Sequence, residues 1–354
     1  MRFGLAIMND FPPEVVPAER IGGLREQVAA AREAGFSSIW MLQHYLGTMP
    51  TLQPLPTLAA LTAETGEMDI GTNMLILPLH HPVEVAEHFA TLDHLSGGRV
   101  IAGFGMGYRE NEFRSFGVPL DERKTRYEES VEIIRALWSG KPVSHRGAHF
   151  ALDEERISLP PVQPGGPRIW VGAGAHRTGA RRAARLGDGW IVAPHVSPDR
   201  LTTVLGWHRE ETERLGDERR HEYVIRRELV LDHDGDRARE IGLRARGALT
   251  RAYAAFNAPD RTASYRHLTS AEAAKEVADE SYIFGTPELA VDRLRVLERL
   301  GVGYVILRMQ WYDLPQEQVL ATMRLFRDEV MPYFTDRTGP PSATTFTDSA
   351  ACQP

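Results

Sequence analysis

The sequence predicts an α/β fold, a (β/α)8 TIM barrel with insertions after strands four and seven. Three observations predict it. Eight short β-like runs alternate with helical ones. Those runs are apolar throughout, as parallel strands buried on both faces are. No composition break divides the 354 residues, and α/β barrels hold this much chain in one domain. A doubly wound open sheet is the alternative, but eight evenly spread strands close more naturally than they stay open.

The elements follow in order. Residues 2–8 (RFGLAIM) form the first strand. Ile21, Leu24, Val28 and Ala31 then recur at helical spacing over 20–34, and Gly35 stands where a C-cap belongs. Residues 36–42 (FSSIWML) are the second strand, 57–65 a helix, and 68–77 (MDIGTNMLIL) a near-continuous third strand. Pro82 opens a helix that runs to Leu95 and stops at Ser96-Gly97-Gly98. Strand 100–105 (VIAGFG) follows, then helix 121–138 with Tyr127, Val131, Ile134 and Trp138 on one side. The first insertion, 140–167, is rich in Pro and Gly and carries a small hairpin around 143–152. Strand 168–173, helix 177–186, strand 189–193, helix 198–214 and strand 222–231 come next. A helix over 236–256 leads to the second insertion, 257–281, which lacks strong periodicity and reads as mobile. Helix 287–299, strand 303–309 and helix 315–332 close the barrel domain, 1–335. Residues 336–354 are small and polar and read as a disordered tail.

Composition narrows the function. With 42% hydrophobic and 25% charged residues the chain is an ordinary globular protein, not a disordered or collagen-like one. A net charge of −7 has the wrong sign for a nucleic-acid binder. The one cysteine, Cys352, excludes disulfides, Cys-zinc sites and a core Cys nucleophile. The first residues, MRFGLAIMND, lack the pattern of a secretory signal, and no apolar run approaches the ~18 residues of a membrane span. These features predict a cytoplasmic protein.

On a barrel, function collects at the C-terminal ends of the strands. Gln43-His44-Tyr45 follows strand two. His44 suits proton transfer near neutral pH, and a structural histidine bonded to a neighbour reads equally well. His80 and His81 follow strand three; adjacent in sequence, at most one faces the mouth. His44 plus one of these makes two metal ligands without a supporting motif, so no metal is expected. Gly103-Phe104-Gly105-Met106-Gly107 follows strand four. Its glycines let something bulky approach the backbone, but GxGxG is not a dinucleotide fingerprint. Ala175-His176-Arg177-Thr178-Gly179 leads from strand five straight into a helix, a plausible phosphate cradle. Arg181, Arg182 and Arg185 read as a solvated face beyond it.

The run GTNMLILPLHHPVEVAEHFATLDHLSGGRVIAGFGMGYRENEFRSFG (71–117) resembles the bacterial luciferase family of flavin-dependent monooxygenases. YIFGTPELAVDRL (282–294) and MRLFRDEVMPY (323–333) are similar to later blocks of that family, in the same order. The resemblance covers roughly residues 1–335. It implies a barrel that binds reduced FMN in its mouth, where O2 gives a C4a-peroxide that attacks a small organic substrate. It implies His44, His81 and Glu112 as catalytic residues. It places Asn73-Met74 at a non-proline cis peptide under the flavin, with Gly105, Met106, Gly107 and Tyr108 also lining the cofactor. Gly105 stands where luciferase alpha chains carry a cysteine, and Met106 where they carry an arginine on the flavin phosphate. Gln43 and Tyr45 replace the flankers of the histidine. Loop 175–179 (Ala175, His176, Arg177, Thr178, Gly179) is then the compensating phosphate site.

No nicotinamide motif is visible, so the resemblance implies a separate flavin reductase, and a homodimer built on helices such as 82–95. Tyr108, Trp190 and Trp311 are candidate pocket walls. The alternatives are a deazaflavin-dependent oxidoreductase that transfers hydride without O2, and a non-catalytic luciferase-like subunit.

Overall fold

The structure, a computed structural model, describes residues 1–192, 196–217, 221–257 and 282–335. The tail 336–354 and nearly all of the second insertion lie outside the described residues. In chain order the strands are β1 (Arg2–Ala6), β2 (Ser38–Met41), β3 (Asp69–Thr72), β4 (Leu75–Ile76), β5 (Val100–Gly105), β6 (Val143–Arg146), β7 (Ala151–Glu155), β8 (Arg168–Ala173), β9 (Gly189–Val192), β10 (Glu222–Leu231), β11 (Tyr282–Gly285) and β12 (Tyr304–Arg308). The helices used below are α1 (Pro17–Ala34), α2 (Pro54–Leu61), α3 (Pro82–Ser96), α4 (Glu110–Ser115), α5 (Arg123–Trp138), α6 (Arg177–Leu186), α7 (Pro198–Leu215), α8 (Gly235–Asn257) and α9 (Pro287–Arg299).

Eight parallel strands close on themselves in the order β1-β2-β3-β5-β8-β9-β10-β12, and β12 pairs back with β1. This is the predicted (β/α)8 barrel. The hairpin β6–β7 sits in the insertion after the fourth barrel strand, as expected.

The barrel interior explains its glycines. Inward positions carry Ala6, Trp40, Ile101, Trp170, Ile191, Val224, Tyr304 and Ile306. Trp40 and Trp170 stack at 4.8 Å between centroids, and Tyr304 meets both edge-on. Two indoles fit because facing positions lack side chains. A Cβ on Gly71 would lie 2.3 Å from the Trp40 ring, and one on Gly189 2.7 Å from Trp170. Ser38 Oγ lies 2.5 Å from both Trp40 Nε1 and the Tyr304 hydroxyl, satisfying polar atoms in a dry core. The helices bury their other faces against the outside of the strands.

Helix ends follow local chemistry. Pro17, Pro54, Pro82, Pro198 and Pro287 stand in first turns, where a missing N–H costs nothing. Gly35, Gly97 and Gly216 end α1, α3 and α7 with left-handed φ.

Several expected elements differ. The run 68–77 is not one strand: a cis peptide at Asn73-Met74 divides it into β3 and β4, and Leu77–Leu79 turns as a 3-10 helix. Apolar content alone does not reveal that turn. A short helix, α4, follows the glycine run where a loop is expected. β11 is an extra strand, paired with the upper half of β10. The helix expected over 57–65 starts earlier, at Pro54, and ends at Leu61. The helix expected over 315–332 is α-helical over Gln316–Leu325 and continues as a π-turn over Phe326–Val330.

Two glycine replacements separate space from propensity. Gly71→Ala drives a methyl into Trp40 and is expected to cost ~1–3 kcal/mol or more. Gly22→Ala, inside α1 with nothing within 4 Å, is expected to gain about 0.5–1 kcal/mol. Urea unfolding of both variants checks the opposite signs.

Candidate functional site

Two loops meet over one side of the mouth. From β2 the chain continues as Leu42-Gln43-His44-Tyr45. From β5 it continues through Met106-Gly107-Tyr108-Arg109 into α4. Gly107 has φ +69, and a Cβ there would meet Phe113 and Ile76, so this turn takes glycine. Glu112 on α4 joins the loops. Its Oε1 accepts from the Tyr45 backbone N–H at 2.8 Å and from Arg109 at 3.0 Å, and lies 3.2 Å from His44 Nδ1. Arg109 also donates to the Tyr45 carbonyl at 2.8 Å. Both Glu112 and Arg109 are fully buried, and 15% of the His44 side chain is exposed.

The charges set the proton positions. Burial pushes the Glu112 carboxyl up, but His44, the Tyr45 N–H and Arg109 together hold it below its ordinary value. An ionised carboxylate only accepts. His44 therefore donates through Nδ1–H, and Nε2 is the basic nitrogen of the ring. Tyr108 meets the His44 ring edge-on at 6.1 Å. The second carboxylate oxygen, Glu112 Oε2, is buried with no hydrogen-bond partner among the described residues.

A second network braces the first. Gln43 Oε1 accepts from the Ile76 N–H at 2.8 Å and from His80 Nε2 at 3.2 Å. Gln43 Nε2 donates to the Tyr45 hydroxyl at 2.8 Å. Burial lowers the His80 pKa, which keeps its imidazole neutral. Burial, with Glu84 adding to it, raises Tyr45 to about 12, so the phenol keeps its proton.

The other expected site residues lie as follows. Of the adjacent histidines, His80 turns into this network and His81 does not. His81 is exposed, caps α3 by accepting from the Val83 N–H, and meets the Phe150 ring. The cis peptide is at Asn73-Met74. The Met74 side chain packs on the inner cluster against Gly105 and Gly172. Protein atoms already occupy the space over the glycine run: a Cβ on Gly103 would lie 1.7 Å from the Thr72 carbonyl oxygen. Met106 is half-buried against the outer core.

Loop 175–179 stands at the end of β8, the neighbour of β5. His176 caps α6 by accepting from the Gly179 N–H at 3.0 Å. The amides of Arg177 and Thr178 in the first turn have no intrahelical acceptor. Thr178 is exposed and Arg177 pairs outward with Glu210 at 3.0 Å. This donor set, backbone amides plus a hydroxyl, fits a phosphate tail. Residues 257–281, expected from the sequence to be mobile, fall outside the described residues except for the end of α8. A groove of about 400 Å³ between the hairpin and α3 is lined by Val83, Leu137, Leu152 and Ile157, and holds none of the mouth residues. Among the described residues no group of three His, Cys, Asp or Glu could hold a metal ion. None of their helices is long and apolar enough to cross a membrane.

The sequence places Gln43 and His80 at strand ends without a role and gives none to Arg109, because their shared partners Tyr45, Ile76 and Glu112 come together only in the fold. Sequence reasoning missed Arg226, Glu228 and Arg308, which were visible as charged residues at alternate positions of apolar strands.

The family model of luciferase-like monooxygenases matches residues 1–303. An F420-dependent glucose-6-phosphate dehydrogenase of Nakamurella multipartita is 28% identical over 340 residues, covering 89% of this chain and 94% of that enzyme. An alkanal monooxygenase alpha chain of Photorhabdus luminescens is 23% identical over 356 residues, covering 95% and 98%. The crystal structure of monooxygenase RslO1 from Streptomyces bottropensis superposes with a TM-score of 0.84 at 25% identity, covering 94% of this chain and all of that one.

Glu112→Gln removes the counter-charge of buried Arg109, and breaking such a pair costs about 3–5 kcal/mol. Because the folded pKa of Glu112 lies below that of the unfolded chain, about 4.3, the stabilisation from its ionised form is present above about pH 5. It is lost as pH falls through the folded value. Unfolding free energies of wild type and variant are therefore expected to differ most near pH 7 and to converge in acid.

Proposed function

Since the chain belongs to the luciferase-like monooxygenase family, we propose that it is a monooxygenase using reduced FMN and O2 to oxidise a small organic substrate. The observation that carries this reading is His44, held at the barrel mouth by a buried carboxylate. The likeness to a solved monooxygenase over nearly the whole chain favours oxygen chemistry.

Bound flavin would supply the electrons and the oxygen chemistry. The chain's own residues do the rest. Amides 177 and 178 and the Thr178 hydroxyl would bind the phosphate, in the role Met106 cannot fill. Met74 and Gly105 would form the floor beneath the ring, beside Asn73, Gly107 and Tyr108. His44 Nε2 would take or return a proton at the reacting centre, with Glu112 fixing the ring's tautomer. The Tyr45 phenol, bonded to Gln43, keeps its proton and holds the loop in place. His81, at an exposed helix cap, is the weakest member of the expected catalytic set, and neutral His80 is the better-placed of the pair. Reduced flavin would come from a separate reductase, and α3 is the candidate face for a homodimer.

A second reading is a deazaflavin-dependent oxidoreductase that transfers hydride without O2. The Glu112–His44 pair favours it too, because a base beside a hydride donor suits alcohol oxidation, and the Nakamurella relative is named for F420. The two readings part on oxygen. Anaerobic titration with reduced FMN, then stopped-flow mixing with O2, is expected to show tight binding and a transient spectrum unlike reduced or oxidised flavin. Weak FMN binding with no transient, together with hydride transfer to the deazaflavin, would establish the second reading instead.

Under either reading, His44→Ala is expected to lower kcat by ~10²–10⁴, the usual worth of general acid–base catalysis. Cofactor affinity, read by fluorescence titration, is expected to change only a few-fold. Unchanged turnover would remove His44 from the mechanism, and a non-catalytic subunit would then fit better.

A further inference from the structure

In the ring order β10 and β12 stand three and two strands from β2, which leads to His44, and three and four strands from β5, which leads to Glu112. The mouth wall there differs from the His44 side. Val224 and Ile306 belong to the inner cluster, and Arg226 pairs in register with Ile306, Glu228 with Arg308. Side chains alternate along a strand. Arg226, Glu228 and Arg308 therefore point inward, above the packed core.

Glu228 Oε1 lies 3.0 Å from an Arg226 terminal nitrogen and 3.5 Å from one of Arg308. The Arg308 guanidinium stacks 4.8 Å over the Trp311 ring. Glu228 and Trp311 are both 2% exposed. Among the described residues, Arg226 Nε, Trp311 Nε1 and Glu228 Oε2 are buried here with no hydrogen-bond partner. Buried polar groups are normally satisfied, so orphans gathered at one place in a mouth signal something that binds there.

We propose that Arg226, Arg308, Glu228 and Trp311 form an oxyanion subsite that holds a carboxylate or phosphate of the substrate. Guanidinium and indole N–H groups only donate, and guanidinium forks match planar oxyanions. Glu228 holds the two guanidiniums side by side against their mutual repulsion. Its second oxygen is left to accept from a hydroxyl next to the oxyanion. The phosphate cradle of loop 175–179 lies at a different strand end, so the cofactor tail and this anion do not compete. The proposal rests on the oxidoreductase reading, because it assigns the substrate class of the same mouth.

The test measures binding alone, so it is readable whichever cofactor the protein uses. Phenylacetate, phenyl phosphate and the neutral phenylacetamide are titrated by ligand-observed NMR, with FMN absent and then present. At least one oxyanion is expected to bind ten-fold or more tightly than phenylacetamide, and which one identifies carboxylate or phosphate. Arg226→Met is expected to weaken it at least ten-fold. Glu228→Gln is expected to tighten it several-fold, since an internal competing anion is removed, and a misfolded variant cannot produce that gain. Equal binding of the amide, or no tightening in Glu228→Gln, would overturn the proposal. So would displacement of the oxyanion by FMN with a matching loss of FMN affinity in Arg226→Met, because the subsite would then belong to the cofactor.

Discussion

The stack of Trp40 on Trp170 is the constraint from which the rest follows. Two indoles fill the middle of the barrel, so no ligand enters it, and the chemistry is confined to the rim above. The stack also dictates sequence at a distance. Gly71 and Gly189 make room for the rings, while Ser38 satisfies Trp40 and Tyr304 with one oxygen. Met74, turned inward just after the cis peptide, lies over this core against Gly105 and Gly172. The floor of the mouth is thus made by packing, and it is rigid for the same reason that the core is dense.

Above that floor, order comes from a buried charge. Loops after β2 and β5 share no ladder and would drift apart without a joint. Glu112 provides it with an N–H from one loop and a guanidinium from its own helix. Desolvation of a carboxylate is costly, and here several donors offset it. The same oxygen fixes the tautomer of His44. Structure and chemistry therefore depend on one atom, so a change that only loosens the loop also misplaces the base.

Much of this was legible in the sequence, for physical reasons that also mark the limits. Helix 177–186 and strand 222–231 match to the residue. One begins at a cap and ends at a glycine, and the other is a long β-rich run. The third strand was misread because Asn73-Met74 is as apolar and β-compatible in its surroundings as a continuing strand. α4 was missed because six residues carry too little periodicity to detect. His81 was preferred over His80 on the resemblance, yet the proline after His81 makes it the N-cap of α3, and a capping residue faces its own helix. The ion cluster on β10 and β12 is hidden in the sequence because apolar content marks a strand as buried, whereas inward charge shows only once the register places Arg226, Glu228 and Arg308 together.

The mouth is built from two arginine–glutamate pairs with a shared design. In each, one carboxylate oxygen is engaged by arginine and the other is buried without a partner among the described residues: Glu112 Oε2 on one wall, Glu228 Oε2 on the other. A pair that served stability alone would gain by satisfying both oxygens or by replacement with apolar side chains. Unused acceptor capacity gains value when something arrives to use it. The walls are not equivalent, however. The Glu112 wall carries an imidazole, which can both take and give a proton, whereas the Glu228 wall carries guanidiniums and an indole, which only donate hydrogen bonds. Such a mouth can hold a molecule at one end by fixed charge and exchange protons with it at the other. On the proposed reading, that division would give a single orientation to a substrate with a polar end and a reactive end.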